Sequence, residues 1–189
     1  MSTVPDRVRA ALETAEVIYT EEAVEAAYGR MAEAIAARLA DTNPVVLPVM
    51  LGGMVPAGRL LPRLRFPLRL DYIHATRYRG ATHGGALRWL ARPHSDLAGQ
   101  VVLLIDDILD EGITLAAIAA HCREQGAREV YTAVLLDKEH NRKNGFAAEF
   151  VGLPVVDRYV FGCGMDYQGY GRNLPAVYAL AEQAGGAGV

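Results

Sequence analysis

The sequence has 189 residues, enough for one domain (1–189) with a full hydrophobic core and too few to suggest two independent ones. Its hydrophobic and charged fractions, 51% and 22%, are those of a folded soluble protein and exclude a disordered chain. The net charge of −3 argues against nucleic acid or an anionic membrane as a partner. We expect a cytoplasmic protein, because the first residues contain no uninterrupted apolar segment and no stretch approaches the ~20 apolar residues of a membrane span.

Cysteine and histidine usage indicates neither a disulfide nor a zinc site. Cys122 and Cys163 lie far apart and outside any metal-ligand spacing, so we expect both to be free thiols. The five histidines show no paired ligand motif such as HExxH. The chemistry of this chain must therefore be sought in other residue types.

The first part of the chain predicts a long helix followed by a short buried strand. From Glu21 to Leu39, apolar residues recur at steps of three and four, which is typical of an amphipathic helix, and Thr20 is a suitable N-cap. Residues 44–50 are an apolar run that ends just before a double glycine, which indicates a buried strand feeding a tight loop. A further helix is predicted to begin near Val55.

The middle of the chain predicts a strand-helix-strand unit. Residues 67–78 roughly alternate and residues 86–91 offer a second strand, with a glycine-containing loop between them. Two continuous apolar runs, "VVLLI" and "VYTAVLL", are typical of parallel strands covered on both faces, and a helix over Ile113 to Gln125 joins them. This pattern predicts an α/β fold whose binding edge lies at the carboxyl ends of the strands.

Four acidic residues follow the first of these apolar runs, in "VVLLIDDILDEGIT". A helix that begins near Ile113 presents free backbone N–H groups to an anion, and Gly112 lets the backbone come close. Asp106 and Asp107 are acceptors for paired hydroxyls such as a ribose diol. The stretch therefore predicts a site for a ribose 5-phosphate; the alternative is that Asp110 caps the helix and the other acids are solvated. The chain contains neither GxGxxG nor GxxxxGK[ST].

At this stretch the chain resembles a known family. "LLIDDILDEGIT" is similar to the phosphoribosyl diphosphate (PRPP) signature of type I phosphoribosyltransferases, and the order of motifs from Val45 to Leu174 resembles their 6-oxopurine (hypoxanthine-guanine) branch. The resemblance implies a twisted, mainly parallel sheet flanked by helices, with a small hood formed from N-terminal and C-terminal segments of the single domain. It also implies Mg²⁺ as cofactor, PRPP and a purine base as ligands, and a homo-oligomer, dimer or tetramer.

Within the signature, the resemblance implies that Asp110 is the catalytic base. Where the family carries a small hydroxyl residue, this chain has Glu111, whose side chain we expect to turn outward so that backbone N–H groups can bind the phosphate. The residues that the resemblance assigns to PRPP are Asp106, Asp107, Asp110, Glu111, Gly112, Ile113 and Thr114.

Two further loops resemble parts of the family's site. "VMLGGM" is similar to the pyrophosphate loop, which implies a non-proline cis peptide between Met50 and Leu51; Leu51 replaces a common lysine, and Gly52 and Gly53 follow. By itself a double glycine predicts only a tight turn. "TRYRGATHGG" resembles the mobile lid, with Arg77 and Tyr78 where Ser-Tyr is usual. The eight arginines from Arg59 to Arg92 would give this lid a positive charge; the alternative is a solvated or subunit-facing surface.

Motifs near the end of the chain resemble the purine side of the site. Lys138 in "LLDKEH" stands where the family's lysine donates to the purine O6, although a surface lysine is the plain alternative. In "DRYVFGCGMDYQGYGRNL", Tyr159 matches the stacking aromatic, while Phe161 is equally well explained as a core residue. The resemblance further implies that Val160 contacts the base through its backbone, that Arg172 binds pyrophosphate, and that Asp106, Asp107 and Asp166 serve the metal.

These motifs together imply an enzyme of purine salvage. The expected reaction transfers the 5-phosphoribosyl group from PRPP to hypoxanthine or guanine, giving IMP or GMP and pyrophosphate. Two alternatives remain: a phosphoribosyltransferase that prefers xanthine or another base, and a regulator of the same fold that senses PRPP and binds nucleic acid.

Overall fold

The computed structural model describes residues 4–77 and 87–181, and every structural statement below refers to these residues. Within them, a five-stranded sheet carries the fold, and a three-stranded sheet and a two-stranded hairpin are added to it. The elements in chain order are α1 (Asp6–Thr14), β1 (Glu16–Tyr19), α2 (Glu21–Leu39), β2 (Val45–Pro48), α3 (Met54–Leu60), a 3₁₀ turn (Leu61–Arg63), β3 (Arg69–Leu70), β4 (His74–Arg77), β5 (Leu87–Ala91), β6 (Val101–Leu109), α4 (Ile113–Glu124), β7 (Glu129–Glu139), β8 (Phe150–Val156), β9 (Val160–Phe161) and β10 (Val177–Ala179).

The five-stranded sheet is parallel throughout and has the order β3-β2-β6-β7-β8. The chain leaves β2 toward one edge of the sheet and continues from β6 toward the other. Strands β2 and β6 are therefore neighbours at a topological switch point, where the loops after their carboxyl ends diverge and leave a crevice. The loop after β2 carries the double glycine, and the turn after β6 carries the acidic stretch.

Alternation along β6 divides the core between the two faces of the sheet. Leu103 and Ile105 are fully buried in the cluster that includes α2 and α3, whereas Val102 and Leu104 are fully buried in the cluster that includes α4. Side chains of a strand point alternately to opposite faces, so a strand covered by helices on both sides must be apolar at every position. This explains the continuous apolar run before Asp106.

A second sheet brings distant parts of the chain together. Its strand order is β1-β10-β9, all antiparallel, so residues 16–19 pair with residues 177–179, and these pair with residues 160 and 161. That this sheet forms the hood implied by the resemblance stays a prediction. Strands β4 and β5 form a separate antiparallel hairpin.

The predicted elements agree closely with the structure in the helices. Helix α2 has the predicted bounds, and the Thr20 side chain accepts a hydrogen bond from the backbone N–H of Ala23 (3.3 Å). Helix α4 spans Ile113–Glu124, one residue short of the prediction. Both cysteines are free and buried, as expected. Among the described residues, no helix is both long and apolar enough to cross a membrane.

The predicted end of β6 was wrong by four residues. The strand was expected to stop at Ile105, but it continues to Leu109 because β7 extends beside it and pairs Asp106 with Val134 and Leu109 with Asp137. The first two acids of the stretch are therefore held within a paired strand rather than in a loop. The predicted strand over residues 67–78 is replaced, within the described part up to residue 77, by two short strands, β3 and β4.

Candidate active site

The two adjacent acids of β6 lie side by side at the switch point. The side chain of Asp106 accepts a hydrogen bond from the backbone N–H of Asp107 (2.9 Å), and Asp107 accepts one from the N–H of Ile108 (2.7 Å). Asp107 is buried, with 8% of its surface exposed, and Asp106 is partly buried. Each carboxylate is thus held by the backbone and keeps its remaining oxygen positions for another partner.

Burial and mutual repulsion make this pair costly to ionise. Desolvation, followed by the charge of Asp107, raises the pKa of Asp106 well above its ordinary value. Desolvation also raises the pKa of Asp107, although a hydrogen bond with Asp106 and the nearby charge of Arg172 oppose this effect. A cation or a set of hydroxyl groups would relieve this cost.

The loop after β2 approaches the acids through its backbone. The Met50–Leu51 peptide bond is cis, as the resemblance implies. A Cβ atom at Gly52 would overlap the carboxylate of Asp107, and one at Gly53 would overlap the carbonyl oxygen of Ile105. The double glycine therefore does more than make a turn, because no side chain fits between this loop and β6.

The turn from β6 into α4 faces the same crevice. Gly112 is the N-cap residue of α4 and has a φ of +83°, in the left-handed region that glycine adopts without strain. A Cβ atom there would lie 2.6 Å from the side-chain oxygen of Asn144. The backbone N–H of Asn144 also donates to the carbonyl of Glu111 (3.0 Å). The loop after β7 thus holds the turn against the crevice.

A cavity of about 420 Å³ lies between these segments. It is bordered by the turn residues from Asp106 to Thr114, by the Met50–Gly52 segment and by Arg172. Glu111 is among the bordering residues and is partly buried. That its side chain turns outward stays a prediction.

A second cavity, of about 220 Å³, shares Asp107, Asp110 and Arg172 with the first. Lys138 reaches it from the end of β7 and is buried, with 9% of its surface exposed. The ring of Tyr159 also borders it and is 52% exposed, while its hydroxyl donates to the carbonyl of Asp166 (2.9 Å). A buried cation and an accessible aromatic face thus lie beside the acidic turn.

Asp110 connects the two cavities and is held by two donors. The Nζ atom of Lys138 lies 3.1 Å from its Oδ2 atom, and the Nε2 atom of His140 lies 2.6 Å from its Oδ1 atom. Desolvation opposes ionisation, but the hydrogen bonds from His140 and Lys138 outweigh it and lower the pKa of Asp110. The carboxylate is therefore ionised at neutral pH, unlike a carboxyl group in an apolar pocket.

Arg172 lies among three of the predicted residues. Its guanidinium pairs with the carboxylate of Asp166, donates to the carbonyl of Gly164 (2.5 Å) and lies 3.8 Å from the Oδ2 atom of Asp107. Asp166 also accepts a hydrogen bond from the backbone N–H of Gly169 (2.7 Å). The arginine thus occupies the space between the acids that the resemblance assigns to a metal.

The structure gathers almost all of the predicted site residues around the two cavities. Val160 is buried in β9 and borders the second cavity, and its backbone contact with a base stays a prediction. Phe161 is fully buried and stacks on Tyr178, so its alternative explanation as a core residue is confirmed. Arg77 ends β4, and Tyr78 lies outside the described residues, so the lid stays a prediction.

Sequence reasoning missed His140. Its imidazole contacts Asp110 with only 3% of the side chain exposed. The signal was present in the sequence, because alternate residues of an extended segment point to the same side, and His140 follows Lys138 by two positions. No sequence signal of this kind marks Asn144, whose contact depends on the path of the loop.

Comparison with known proteins identifies the class. The family model described as the phosphoribosyl transferase domain matches residues 14–168 of the chain. The chain therefore belongs to the phosphoribosyltransferase family.

Particular relatives point to one branch of that family. The chain is 30% identical over 172 residues to a hypoxanthine-guanine phosphoribosyltransferase of Aquifex aeolicus, covering 88% of this chain and 95% of that protein. It is 28% identical over 167 residues to a hypoxanthine-guanine-xanthine phosphoribosyltransferase of Tritrichomonas foetus, covering 88% and 91%. The crystal structure of a hypoxanthine phosphoribosyltransferase from Staphylococcus aureus superposes with a TM-score of 0.85 at 26% identity, covering 91% and 95%.

We expect Asp106→Asn to raise the melting temperature of the ligand-free protein by roughly 2–4 °C near pH 8, as ~1 kcal/mol does in a domain of this size. Because the pKa of Asp106 is raised in the folded protein, the folded protein binds the proton of this carboxyl group more tightly than the unfolded chain does. The stability of the wild type therefore falls as the pH rises above about 4, the pKa of aspartate in an unfolded chain. The increase in melting temperature caused by the substitution should therefore become smaller toward pH 5. Thermal unfolding curves recorded from pH 5 to pH 8 measure it.

The matched control is Asp41→Asn, at an exposed position just after α2. It should leave the melting temperature unchanged at every pH. A stabilisation by Asp106→Asn that is equal at pH 5 and pH 8 would contradict the assigned cost of ionising Asp106 in the folded protein.

Proposed function

We propose that the chain transfers the 5-phosphoribosyl group from PRPP to a 6-oxopurine, hypoxanthine or guanine, and releases pyrophosphate in purine salvage. The observation that carries this proposal is the pair of joined cavities at the β2–β6 switch point, with the acidic turn in one and Lys138 with Tyr159 in the other. One cavity suits a sugar phosphate and the other suits a planar base. Asp110 borders both, at the place where the two substrates would meet.

The sugar-phosphate cavity supplies three kinds of contact. The free N–H groups at the start of α4, with the Thr114 hydroxyl, suit the 5-phosphate. The Asp106 and Asp107 carboxylates suit the two ribose hydroxyls as acceptors. The close backbone of Leu51 and Gly52 and the guanidinium of Arg172 suit the pyrophosphate.

Mg²⁺ fits the donor set of this cavity. The ion takes hard oxygen ligands and is commonly held by one or two carboxylates together with substrate phosphates and waters. Asp106 and Asp107 are the carboxylates of this cavity that would hold it, and Asp166, which borders the second cavity and pairs with Arg172, is the third candidate. Among the described residues no group of three metal-ligating side chains converges, so substrate phosphates and waters would have to complete the coordination. Bound there, Mg²⁺ would supply positive charge to the departing pyrophosphate.

The base cavity favours a 6-oxo group. An ammonium donates hydrogen bonds and accepts none, so Lys138 suits the O6 atom of hypoxanthine, guanine or xanthine and opposes the amino group of adenine. Tyr159 offers an accessible ring face on which the base can stack. Because these contacts do not separate the three 6-oxopurines, xanthine is the second candidate, which the name of the Tritrichomonas foetus relative favours.

In this proposal Asp110 takes part in the chemistry. As the bond from the anomeric carbon to pyrophosphate breaks, positive charge develops on the ribose, as in glycoside transfer. The purine N9 atom then bonds to that carbon, and the proton on N7 passes to the Asp110 carboxylate. Nearby carboxylates stabilise the cationic sugar, and a closed lid that excludes water protects it from hydrolysis.

We further propose a cytoplasmic homo-oligomer. Exposed apolar side chains support the assembly: Leu70, Tyr72 and Leu90 are exposed by 56%, 40% and 49%. Size measurement in solution, by sedimentation or light scattering, tests the dimer or tetramer.

The decisive test of the activity is incubation with PRPP and Mg²⁺ against hypoxanthine, guanine, xanthine and adenine in turn. We expect IMP from hypoxanthine and GMP from guanine, each with an equal amount of pyrophosphate, and no AMP from adenine. Chromatography of the nucleotides measures these products. Product from xanthine alone would favour the second candidate. Salt-dependent binding of DNA or RNA without any nucleotide product would instead indicate a PRPP-sensing regulator.

We expect Asp110→Asn to lower turnover at least tenfold, because a general base contributes ~10²–10⁴ in rate and an amide cannot accept the proton. Binding of PRPP with Mg²⁺, measured by calorimetry, should persist. Asp41→Asn serves as the matched control and should keep full turnover. Near-normal turnover of Asp110→Asn would remove Asp110 from this role.

We expect Lys138→Ala to lower kcat/KM for hypoxanthine and guanine by the value of a charged hydrogen bond, ~1.5–3 kcal/mol or roughly one to two orders of magnitude. The matched control is Lys143→Ala, since Lys143 lies on the loop after β7, pairs with Asp137 of β7 and borders neither cavity. Unchanged kinetics of Lys138→Ala would contradict the assignment of O6 recognition.

We expect Gly52→Ala to raise the KM for PRPP at least tenfold, because a Cβ atom there would displace the Asp107 carboxylate. Gly58→Ala is the matched control, because its Cβ atom on α3 would meet no atom within 4 Å, and alanine favours a helix. Steady-state kinetics with PRPP as the varied substrate measures both. Equal KM values in the two variants would show that the loop does not hold PRPP.

A further inference from the structure

His140 is a buried histidine that the proposed reaction does not yet use. Its Nε2 atom lies 2.6 Å from the Oδ1 atom of Asp110, and its Nδ1 atom accepts a hydrogen bond from the backbone N–H of Arg142 (3.1 Å). The side chain is 3% exposed. Both ring nitrogens are therefore engaged, one by the backbone and the other by the candidate catalytic carboxylate.

These two contacts assign the tautomer of the ring. A backbone N–H only donates, so the Nδ1 atom that faces it must carry a lone pair and no proton. The proton of a neutral imidazole then resides on Nε2 and is donated to Asp110. A doubly protonated ring would set an Nδ1–H group against the N–H of Arg142 and lose that bond.

The second donor to Asp110 differs from the first. Lys138 reaches the Oδ2 atom from a flexible side chain and also lies 3.9 Å from a carboxylate oxygen of Asp157. Its ammonium can therefore turn between partners. The imidazole of His140 is held at Nδ1 by the backbone N–H of Arg142 in the same loop. It cannot turn away without losing that hydrogen bond.

We propose that His140 is a positioning residue, a neutral donor that keeps one oxygen of Asp110 fixed while Lys138 leaves the other oxygen for the incoming base. This inference rests on the proposed function. The arrangement would aim Oδ2 at the N7 proton and hold the carboxylate plane as the base arrives. A neutral donor suits this task because a permanent positive charge at that position would keep Asp110 a weaker base after Lys138 has moved.

The first test is kinetic and uses two replacements of different chemistry. His140→Phe keeps the ring and removes the donor, and it should lower kcat about tenfold while the KM for PRPP stays within about twofold. His140→Gln places an amide N–H near the position of Nε2 and should recover kcat to within about threefold. Asn141→Ala, an exposed neighbour on the same loop, is the control and should match the wild type.

The second test asks whether His140 acts through Asp110. In the Asp110→Asn background, adding His140→Phe should lower kcat by less than about twofold, because residues that act as one unit are not additive. A residue that merely supports the loop would multiply the two losses. Melting curves of every variant establish that folded proteins are compared.

The third test does not need activity. Histidine ¹⁵N NMR of the ligand-free protein should show a protonated Nε2 and an unprotonated Nδ1 for His140, assigned by its loss in His140→Gln. A proton on Nδ1 would overturn the inference whatever the enzyme does. An active wild type with unchanged kcat in His140→Phe would also overturn it and leave the proposed function standing, whereas absence of any nucleotide product would overturn both.

Discussion

The cost of burying the two adjacent carboxylates of Asp106 and Asp107 is the constraint on which the rest of the site depends. Two carboxylates on adjacent residues of a paired strand cannot separate, because β7 holds the strand beside them. Burial raises the cost of ionising both. The surroundings must therefore offer positive or hydrogen-bonding partners, and the protein does so with backbone N–H groups and with Arg172, 3.8 Å from Asp107.

Three backbone segments approach one another closely beside these acids: the loop after β2, strand β6 and the turn at Gly164. Gly52 leaves room for the Asp107 carboxylate, and a side chain at Gly164 would overlap the carbonyl oxygen of Gly52. The crevice is thus bordered by main chain on the side where a pyrophosphate would lie. Main-chain N–H groups are short, rigid donors, so under the proposed function the Leu51–Gly52 backbone would bind phosphate oxygens without the entropy loss of ordering long side chains.

Much of this arrangement could be predicted from the sequence. The recurrence of apolar residues at every third or fourth position predicted α2. The continuous apolar runs predicted that β6 and β7 are parallel strands, and this prediction placed the acidic turn at the binding edge of the sheet. The true end of β6 could not be predicted, because the added four residues pair with β7 and this pairing has no local signal. The contact of Asn144 with the turn also depends on the path of a loop that sequence periodicity does not describe.

The candidate groups of the site pair with one another. Arg172 pairs with Asp166 and Lys138 with Asp110, so each cation that is proposed to contact substrate rests on an acid of the same site. Substrate binding is then an exchange of partners rather than the filling of unpaired groups, which avoids leaving buried charges without compensation. Such an exchange needs one contact that does not move, because otherwise the Asp110 carboxylate would lose its orientation when Lys138 leaves it. Of the two donors to Asp110, only His140 is also anchored to the main chain.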